Sequence, residues 1–404
     1  MLLFECSVNV EKKDRQNKIS CNSEGICYLL QDNAIPRRLY GAKPLGLVHS
    51  QYYLQHMEKS VTILAIETSC DETSVAVLRD GALLSNIVSS QIVHNTYGGV
   101  VPELASRAHQ KLIIPIANES MVKAGITSSD ITAIGGVYGP GLMGSLLVGL
   151  NFGKSYAYAL NVPFIGVNHM EAHIYSNFIT EPKPQFPFLC LTVSGGHTQL
   201  VLVRRDFEFE VIGETRDDAA GEAFDKVAKM LGLGYPGGPR VDKLARSGNP
   251  KAIKFPRSFL PGDRFGFSFS GIKTSVLYYL RDNGLARTAI PEQLLADICA
   301  SFQAAVVDVL AEKTLDAAAY LGVKDIAVAG GVSANSGLRT TLTARAAKKN
   351  CRVFVPPFEY CTDNGAMIAL TAYRKYLTGY RSALSQTAIP YLSLGEAIGG
   401  SARG

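Results

Sequence analysis

Two histidines, His169 and His173, stand four residues apart in VNHMEAHIYSNF, directly after the apolar run PFIGVN. On a helix this spacing puts both imidazoles on one face, with Cβ atoms about 6 Å apart. That suits two ligands of one metal ion, although an HxxxH pair also occurs as plain helix packing. Glu171 falls two residues after His169 and so points to the other side. The pattern is therefore not HExxH, whose glutamate directly follows the first histidine and serves as base, and a zincin-type peptidase is disfavoured. Asp363, in EYCTDNGAMIAL, stands where a helix begins. It can cap that helix, or it can complete a set of two histidines and one carboxylate, which leaves coordination positions open and suits Fe(II) or Zn(II).

A second group of residues has the types that hold a nucleotide. Gly195, Gly196 and His197 form a turn between Ser194 and Thr198, and paired glycines let a backbone approach a ligand closely. Gly330 and Gly331, in IAVAGGVSANSGLR, end a predicted strand just before a helix, where phosphates meet helix N-termini in α/β folds. Asn335 in that run can cap the helix or bond a nucleotide. In DDAAGEAFDKVAKMLGLGYPGGP, Glu222, Asp225 and Lys229 share a helical face among small apolar residues. The spacing suits a solvated ion-paired face, or an Asp225 that faces a cleft and holds hydroxyls. Gly237 and Gly238 follow, where a flat base can pack. Gly139, Gly141 and Gly144 match GxGxxG, but the strand PFIGVN that follows ends in Asn168 without the acid a dinucleotide fold needs. Tight helix–sheet packing explains those glycines better.

The elements that carry these residues alternate. ILAIET, SVAVL, ITAIGGVY, PFIGVN, DIAVAGG and CRVFVP read as strands, being short, β-branched and bounded by turns. Helical spacing runs through LASRAHQKLIIPIANESMVKAG, LMGSLLVGLNFGKSYAYAL, DDAAGEAFDKVAKMLGL, PEQLLADICASFQAAVVDVLAEKTLDAAAYLG (one long helix or two), SGLRTTLTARAAKK and NGAMIALTAYRKYLTG. Strands alternating with helices imply an α/β protein. One internal repeat stands out. TILAIETSCDETSVAVLRD, residues 62–80, aligns without a gap on FLCLTVSGGHTQLVLVRRD, residues 188–206. Each is a strand, a small-polar turn, a second strand and a closing Arg-Asp. Two independent hairpins would give this pattern; so would a duplicated lobe whose turns face each other and offer backbone N–H groups to phosphates.

Composition sets the outer limits. The chain has 404 residues, 47% of the hydrophobic class and 19% charged, which fits a globular chain with a large core and excludes wholesale disorder. A net charge of +5 permits an anionic partner without demanding one. Eight cysteines without a CxxC pair disfavour a zinc ribbon or a redox dithiol and point to a reducing compartment. No apolar run reaches the length of a membrane span, and the N-terminus has neither a secretory nor a mitochondrial pattern, so a cytoplasmic protein without a membrane partner is expected. Residues 1–57 show no sustained period, and regular patterning begins just after Met57.

Together the runs LAIETSCDETSVAV, YGGVVPELASRAH, GPGLMGSLLVG, NHMEAHIYSNF, LTVSGGHTQLV, DDAAGEAFDKVAKMLGLGYPGGP, FSFSGIKT, AGGVSAN and CTDNGAMIA resemble the bacterial TsaD type of tRNA N6-adenosine threonylcarbamoyltransferase. They span residues 60 to about 370 in the family's order, and the first 57 residues fall outside the match. The resemblance implies an α/β fold of two duplicated lobes around a central cleft, of the actin/Hsp70/sugar-kinase (ASKHA) type. Residues 58–167 with 366–404 would form one lobe, 168–365 the other, and 1–57 an irregular extension. It implies transfer of a threonylcarbamoyl group from threonylcarbamoyl-AMP to N6 of adenosine 37 in tRNAs reading ANN codons. Carried over by position, His169, His173 and Asp363 are metal ligands for one Fe(II), with Zn(II) the alternative. Contacts to the adenylate fall on Thr192, Val193, Ser194, Gly195, Gly196, Asp225, Gly238, Asp242 and Asn335. Asp71 and Glu72 in the first hairpin are candidates for the catalytic base, and the stretch from Val100 to Arg107 has no assigned role. The implied partners are tRNA, a TsaB-like paralogue and a TsaE-like ATPase. Two other readings are a non-catalytic nucleotide-binding regulator of the same fold, which would not need the His-His-Asp set, and a metallopeptidase.

Overall fold

A computed structural model describes residues 18–21, 27–30, 60–91, 94, 97–260, 262–285 and 289–395. The chain divides into two compact units, Met1–Lys59 and Ser60–Gly404. In the first, β1 (Lys18–Cys21) pairs antiparallel with β2 (Cys27–Leu30), with Cys21 opposite Cys27. The other residues of the extension expected at 1–57, Met57 included, lie outside the described residues.

The second unit holds two five-stranded sheets of the same design. One contains β3 (Thr62–Glu67), β4 (Glu72–Arg79), β5 (Ala82–Ser90), β6 (Ala133–Gly139) and β7 (Phe164–Asn168), in the order β5-β4-β3-β6-β7. The other contains β8 (Phe188–Val193), β9 (Thr198–Arg205), β10 (Glu208–Glu214), β11 (Asp325–Ala329) and β12 (Arg352–Phe354), in the order β10-β9-β8-β11-β12. In each, the first three strands run as an antiparallel meander and the last two join parallel to the first. The repeat in the sequence is thus a duplicated lobe, and not two unrelated hairpins. The duplication is inexact at the turns. The β3–β4 ladder closes with Glu67 opposite Ser74, whereas the β8–β9 ladder closes with Val193 opposite Thr198. The first turn therefore keeps more residues out of the ladder, and it is the one that carries the acids.

The central strands are buried along their whole length and mostly apolar because both faces are covered. On β8, Phe188 and Cys190 join the core shared with the first sheet, while Leu189, Leu191 and Val193 point into the second core. The helices are α1 (Pro102–Ala124), α2 (Met143–Leu160), α3 (His169–Tyr175), α4 (Ala220–Met230), α5 (Gly237–Ala245), α6 (Ser270–Asp282), α7 (Glu292–Leu321), α8 (Ser336–Ala347) and α9 (Gly365–Leu377). The PEQLL run is one unbroken helix, α7. It is apolar on most sides because it lies inside the second core, where Phe302 meets Phe224 edge-on at 5.1 Å. It is long and apolar enough to cross a membrane, but most of that stretch is buried within the protein. The last helix, α9, returns to the first sheet and packs on β3, β4, β6 and β7 as well as on α3. This return brings the chain before α9, with Asp363, beside the histidines of α3.

Candidate active site and metal centre

Helix α3 starts where β7 ends. Asn168 caps it, its side-chain oxygen accepting from the N–H groups of Met170 and Glu171, and this sets the face on which the histidines lie. The imidazoles of His169 and His173 stand edge to face, with centroids 4.6 Å apart. Both Nε2 atoms converge on Asp363 Oδ1, at 3.4 Å from His169 and 3.1 Å from His173. One donor atom from each of the three residues falls within 4.8 Å of the others. Asp363 does not cap α9. That task belongs to Asn364, whose side-chain oxygen accepts from Met367 N–H, and Asp363 is left free to face the histidines.

Behind His169 lies a carboxylate that the sequence reading did not single out. Glu67, fully buried at the end of β3, takes His169 Nδ1 at 3.0 Å and accepts from the Ser69 N–H at 2.5 Å. An acid at a strand end, within the LAIETS run, was its only signal. A histidine whose far nitrogen is held by a carboxylate presents Nε2 in a fixed direction, as ligating histidines do. Burial disfavours the His169 cation, but Asp363 and Glu67 outweigh it and hold its pKa well above the usual value. Burial likewise opposes ionisation of Asp363, and the two histidines overcome it, keeping the carboxyl well below its usual range. The donor set, two imidazole nitrogens and a carboxylate oxygen at one point, fits a divalent transition metal. Glu171 points away from this group, as its spacing predicted, and pairs with Lys375 of α9 at 2.6 Å. It is not placed to act as a peptidase base.

The two hairpin turns flank the cluster. In the first, burial, Asp363 and Asp71 push the Glu72 carboxyl up to about 10. In the second, burial and then His169 and His173 push His197 down to about 4. Asp71 also interacts across to Asp225 and Tyr235 of the second lobe. Thr192 and Val193 end β8; Ser194 Oγ accepts from the N–H groups of Gly196 and His197 and tightens the turn. Gly195 and Gly196 face open space. Gly221 at the start of α4 donates to the Ser194 carbonyl, and a Cβ there would fall 2.5 Å from that oxygen, so only glycine lets α4 approach the turn. Gly330 has φ 86°, and its Cβ would lie 2.5 Å from the Val193 carbonyl oxygen, which joins the ends of β8 and β11. These strand ends are where ligands bind in parallel α/β sheets.

The structure gives three of the expected nucleotide contacts a second task. Asp225 Oδ1 accepts from Gly237 N–H at 2.7 Å at the start of α5, and burial raises its pKa against the pull of the Gly237 and Gly238 amides. Asp242 Oδ1 holds Ser336 N–H and Oγ at the start of α8, and its Oδ2 takes Arg246. Asn335 caps α8 through Leu338 N–H and donates to Gln303. The presumed face of Glu222, Asp225 and Lys229 divides: Glu222 pairs with Lys226 at 2.8 Å, and Lys229 Nζ approaches Gly98 of the first lobe. Gly238 is open on its Cβ side, whereas Gly237 is closed against Ala228 and Asp225. The GxGxxG match is packing: a Cβ on Gly139 would fall 2.1 Å from the Ile389 carbonyl oxygen.

A family model described as TsaD, tRNA N6-adenosine threonylcarbamoyltransferase, matches residues 82–370. Proteins named tRNA N6-adenosine threonylcarbamoyltransferase are similar along most of the chain. One from Cytophaga hutchinsonii is 52% identical over 339 residues, covering 84% of this chain and 98% of that protein. One from Clostridium botulinum is 54% identical over 342 residues, covering 84% and 100%. Among solved structures, HypF from T. kodakarensis aligns with a TM-score of 0.53 at 15% identity, over 79% of this chain and 48% of that one. A full-length HypF in its phosphate- and nucleotide-bound form gives 0.52 at 13% identity, over 78% and 46%. The last two are likenesses of fold alone.

Proposed function

Since this chain belongs to the TsaD family of tRNA N6-adenosine threonylcarbamoyltransferases, has their two-lobed ASKHA fold and is a transferase that modifies adenosine 37 of tRNA, we propose that its donor is threonylcarbamoyl-AMP, bound between the glycine turn of the second lobe and the His169–His173–Asp363 cluster. The observation that carries this reading is the convergence of both Nε2 atoms on Asp363 Oδ1, beside a turn whose glycines face open space. A non-catalytic nucleotide clamp has no use for such a donor set.

In this reading the strand end and turn from Thr192 to Gly196 receive the phosphate, and Asp225, Gly238, Asp242 and Asn335 shape the nucleoside side. Asp225, Asp242 and Asn335 do so while capping α5 and α8, which ties the helices to the ligand they surround. The adenine N6 amine is a poor nucleophile, so positioning it against the carbamoyl carbon supplies much of the acceleration. As the new C–N bond forms and the C–O bond to AMP breaks, the N6 proton leaves to a carboxylate; of the two candidates Asp71 and Glu72, Asp71 is the one free to accept it, because Glu72 is held in its protonated form. His169, His173 and Asp363 would hold one Fe(II), or Zn(II), which supplies Lewis acidity toward an acyl oxygen or anchors the donor.

We further infer work with a TsaB-like paralogue and a TsaE-like ATPase in the cytoplasm, the donor being made by another enzyme. An apolar surface supports the partner reading: Ile114, Ala117, Met121, Phe152 and Tyr156 of α1 and α2 line a cavity of about 460 Å³, and Ile114 is 65% exposed. The test is incubation with threonylcarbamoyl-AMP and unmodified tRNA, followed by digestion to nucleosides. Modified adenosine in a single turnover is expected from the chain alone; no product, even with the partners, would defeat the donor assignment. Sustained turnover by the isolated chain would defeat the partner assignment.

A further inference from the structure

Within YGGVVPELASRAH, His109 touches neither the metal ligands nor the glycine turn, yet it is fully buried and bonded at both ring nitrogens. Its Nε2 lies 2.9 Å from the Cys70 carbonyl oxygen, which only accepts, so Nε2 carries the proton. Its Nδ1 then accepts from Thr73 Oγ1 at 2.8 Å. Gln91 Nε2 lies 3.5 Å from the same Nδ1 and donates to the Ala105 carbonyl at 3.2 Å. Gln91 Oε1 accepts from His94 Nε2 at 2.9 Å, and His94 Nδ1 accepts from the Val101 N–H at 3.3 Å, just before α1. A donor-only group at one end and an acceptor-only group at the other fix the direction of every bond and the tautomer of both neutral imidazoles. Burial lowers the His109 pKa, against the opposing pull of the Cys70 carbonyl, and so keeps the ring neutral.

The chain ends on backbone that no ladder holds. Pairing of β3 with β4 stops at Glu67 opposite Ser74, and β5 takes up the chain only from Glu72. Cys70 and Asp71 lie outside both, between Ser69, which is tied to the Leu142 N–H, and Glu72. We propose that His109, backed by Gln91 and His94, is a positioning residue for the transfer reaction: as the neutral Nε2–H tautomer it fixes the Cys70–Thr73 turn and sets the Asp71 and Glu72 carboxyl groups against the His169–His173–Asp363 cluster. This deepens the reading of that turn as part of the active site and rests on it. The same bonds join the turn to the N-terminal end of α1.

The test uses the full chain with its donor, tRNA and partner proteins, comparing H109A, H109Q and T73V, with D71N and E72Q as references and H109A also placed in D71N. H109A should lower kcat about tenfold or more with the tRNA KM unchanged within about twofold. Bound metal, read by elemental analysis, should stay unchanged. H109Q, whose amide can donate to the Cys70 carbonyl and accept from Thr73, should regain most of the rate. H109A should add less than about a twofold loss on top of D71N, because both act through one turn. Where H109A does not fold, T73V, which deletes a single bond, should still lower kcat about threefold. Unchanged kcat in every folded His109 and Thr73 variant, while D71N or E72Q lowers it, overturns the positioning role; so does a full H109A loss carried undiminished into D71N. Wild-type kcat in both D71N and E72Q overturns the reading of the turn itself, and the proposal with it.

Discussion

The Glu171 carboxylate lies 2.6 Å from the Lys375 ammonium, with both side chains almost wholly buried, and so pins the helix that carries both histidines to the helix that follows Asp363. The ammonium also sits 5.6 Å from the Phe207 ring and 5.2 Å from that of Tyr380. Removing one partner leaves the other buried and uncompensated. K375M is therefore expected to destabilise the protein by about 3 kcal/mol, measured by denaturant unfolding. The E171M/K375M double variant should recover a large part of that loss. Equal stability of K375M and the parent would show the pair to be inert.

The metal ligands make a sharper set. H169A, H173A and D363N should each reduce bound metal and transfer activity while the fold persists, since each removes one donor from a common point. E67Q keeps the volume of Glu67 but weakens its hold on His169 Nδ1. Its metal affinity should fall about 10- to 100-fold. Elemental analysis and a competitive chelator titration read both effects; full metal content in H169A and H173A together would sink the assignment.

Acid stability should depend on Asp217 and Asp218, which tie DDAAGEAF to FSFSGIKT. Asp217 accepts from the N–H groups of Phe269 and Ser270 at the start of α6, at 2.9 and 3.3 Å, and from Ser268 Oγ. Asp218 pairs with Lys226 and Lys273 at 2.7 Å each. Burial raises both pKa values, but these bonds outweigh it and the net shift is downward. A folded pKa below the unfolded one means that the folded state binds fewer protons. The contribution is whole above the unfolded carboxylate value of about 3.9 and is lost as pH falls through the folded value. D217N should cost about 1 kcal/mol at pH 7, and the cost should shrink as pH falls below the unfolded carboxylate value of about 3.9. Urea unfolding at several pH values gives the comparison, and a pH-independent difference would contradict it.

Deleting residues 1–56, so that translation begins at Met57, should leave folding and transfer intact. Met1–Lys59 forms its own unit, both sheets of the transferase lie within Ser60–Gly404, and the family match starts beyond it at residue 82. Melting temperature and transfer rate of the two lengths, measured side by side, decide the matter. An insoluble or largely inactive truncation would make the extension part of the working protein.

Much of this molecule was legible because its cues are local. An i, i+4 pair shares a helical face wherever the helix lies, so His169 and His173 were placed together, and Glu171 away from them, by spacing alone. Runs covered on both faces, such as TILAIE and FLCLTV, announce central strands, and their recurrence announces the second lobe. What the tertiary structure decided are choices between partners distant along the chain. Whether Asp363 or Asn364 caps α9 depends on where α9 packs, and its return to the first sheet turns Asp363 toward the histidines. Glu67 meets a ring 102 positions away, and Lys375 meets Glu171, only because β3, α3 and α9 pack against one another. The unequal closure of the two hairpins was hidden by an alignment that needed no gap, since ladder register is set by pairing across strands and not by the order of residues along one. The buried histidine chain was invisible for the same reason: a tautomer is chosen by what stands at each end of the ring, and those groups come together only when α1 closes over the first hairpin.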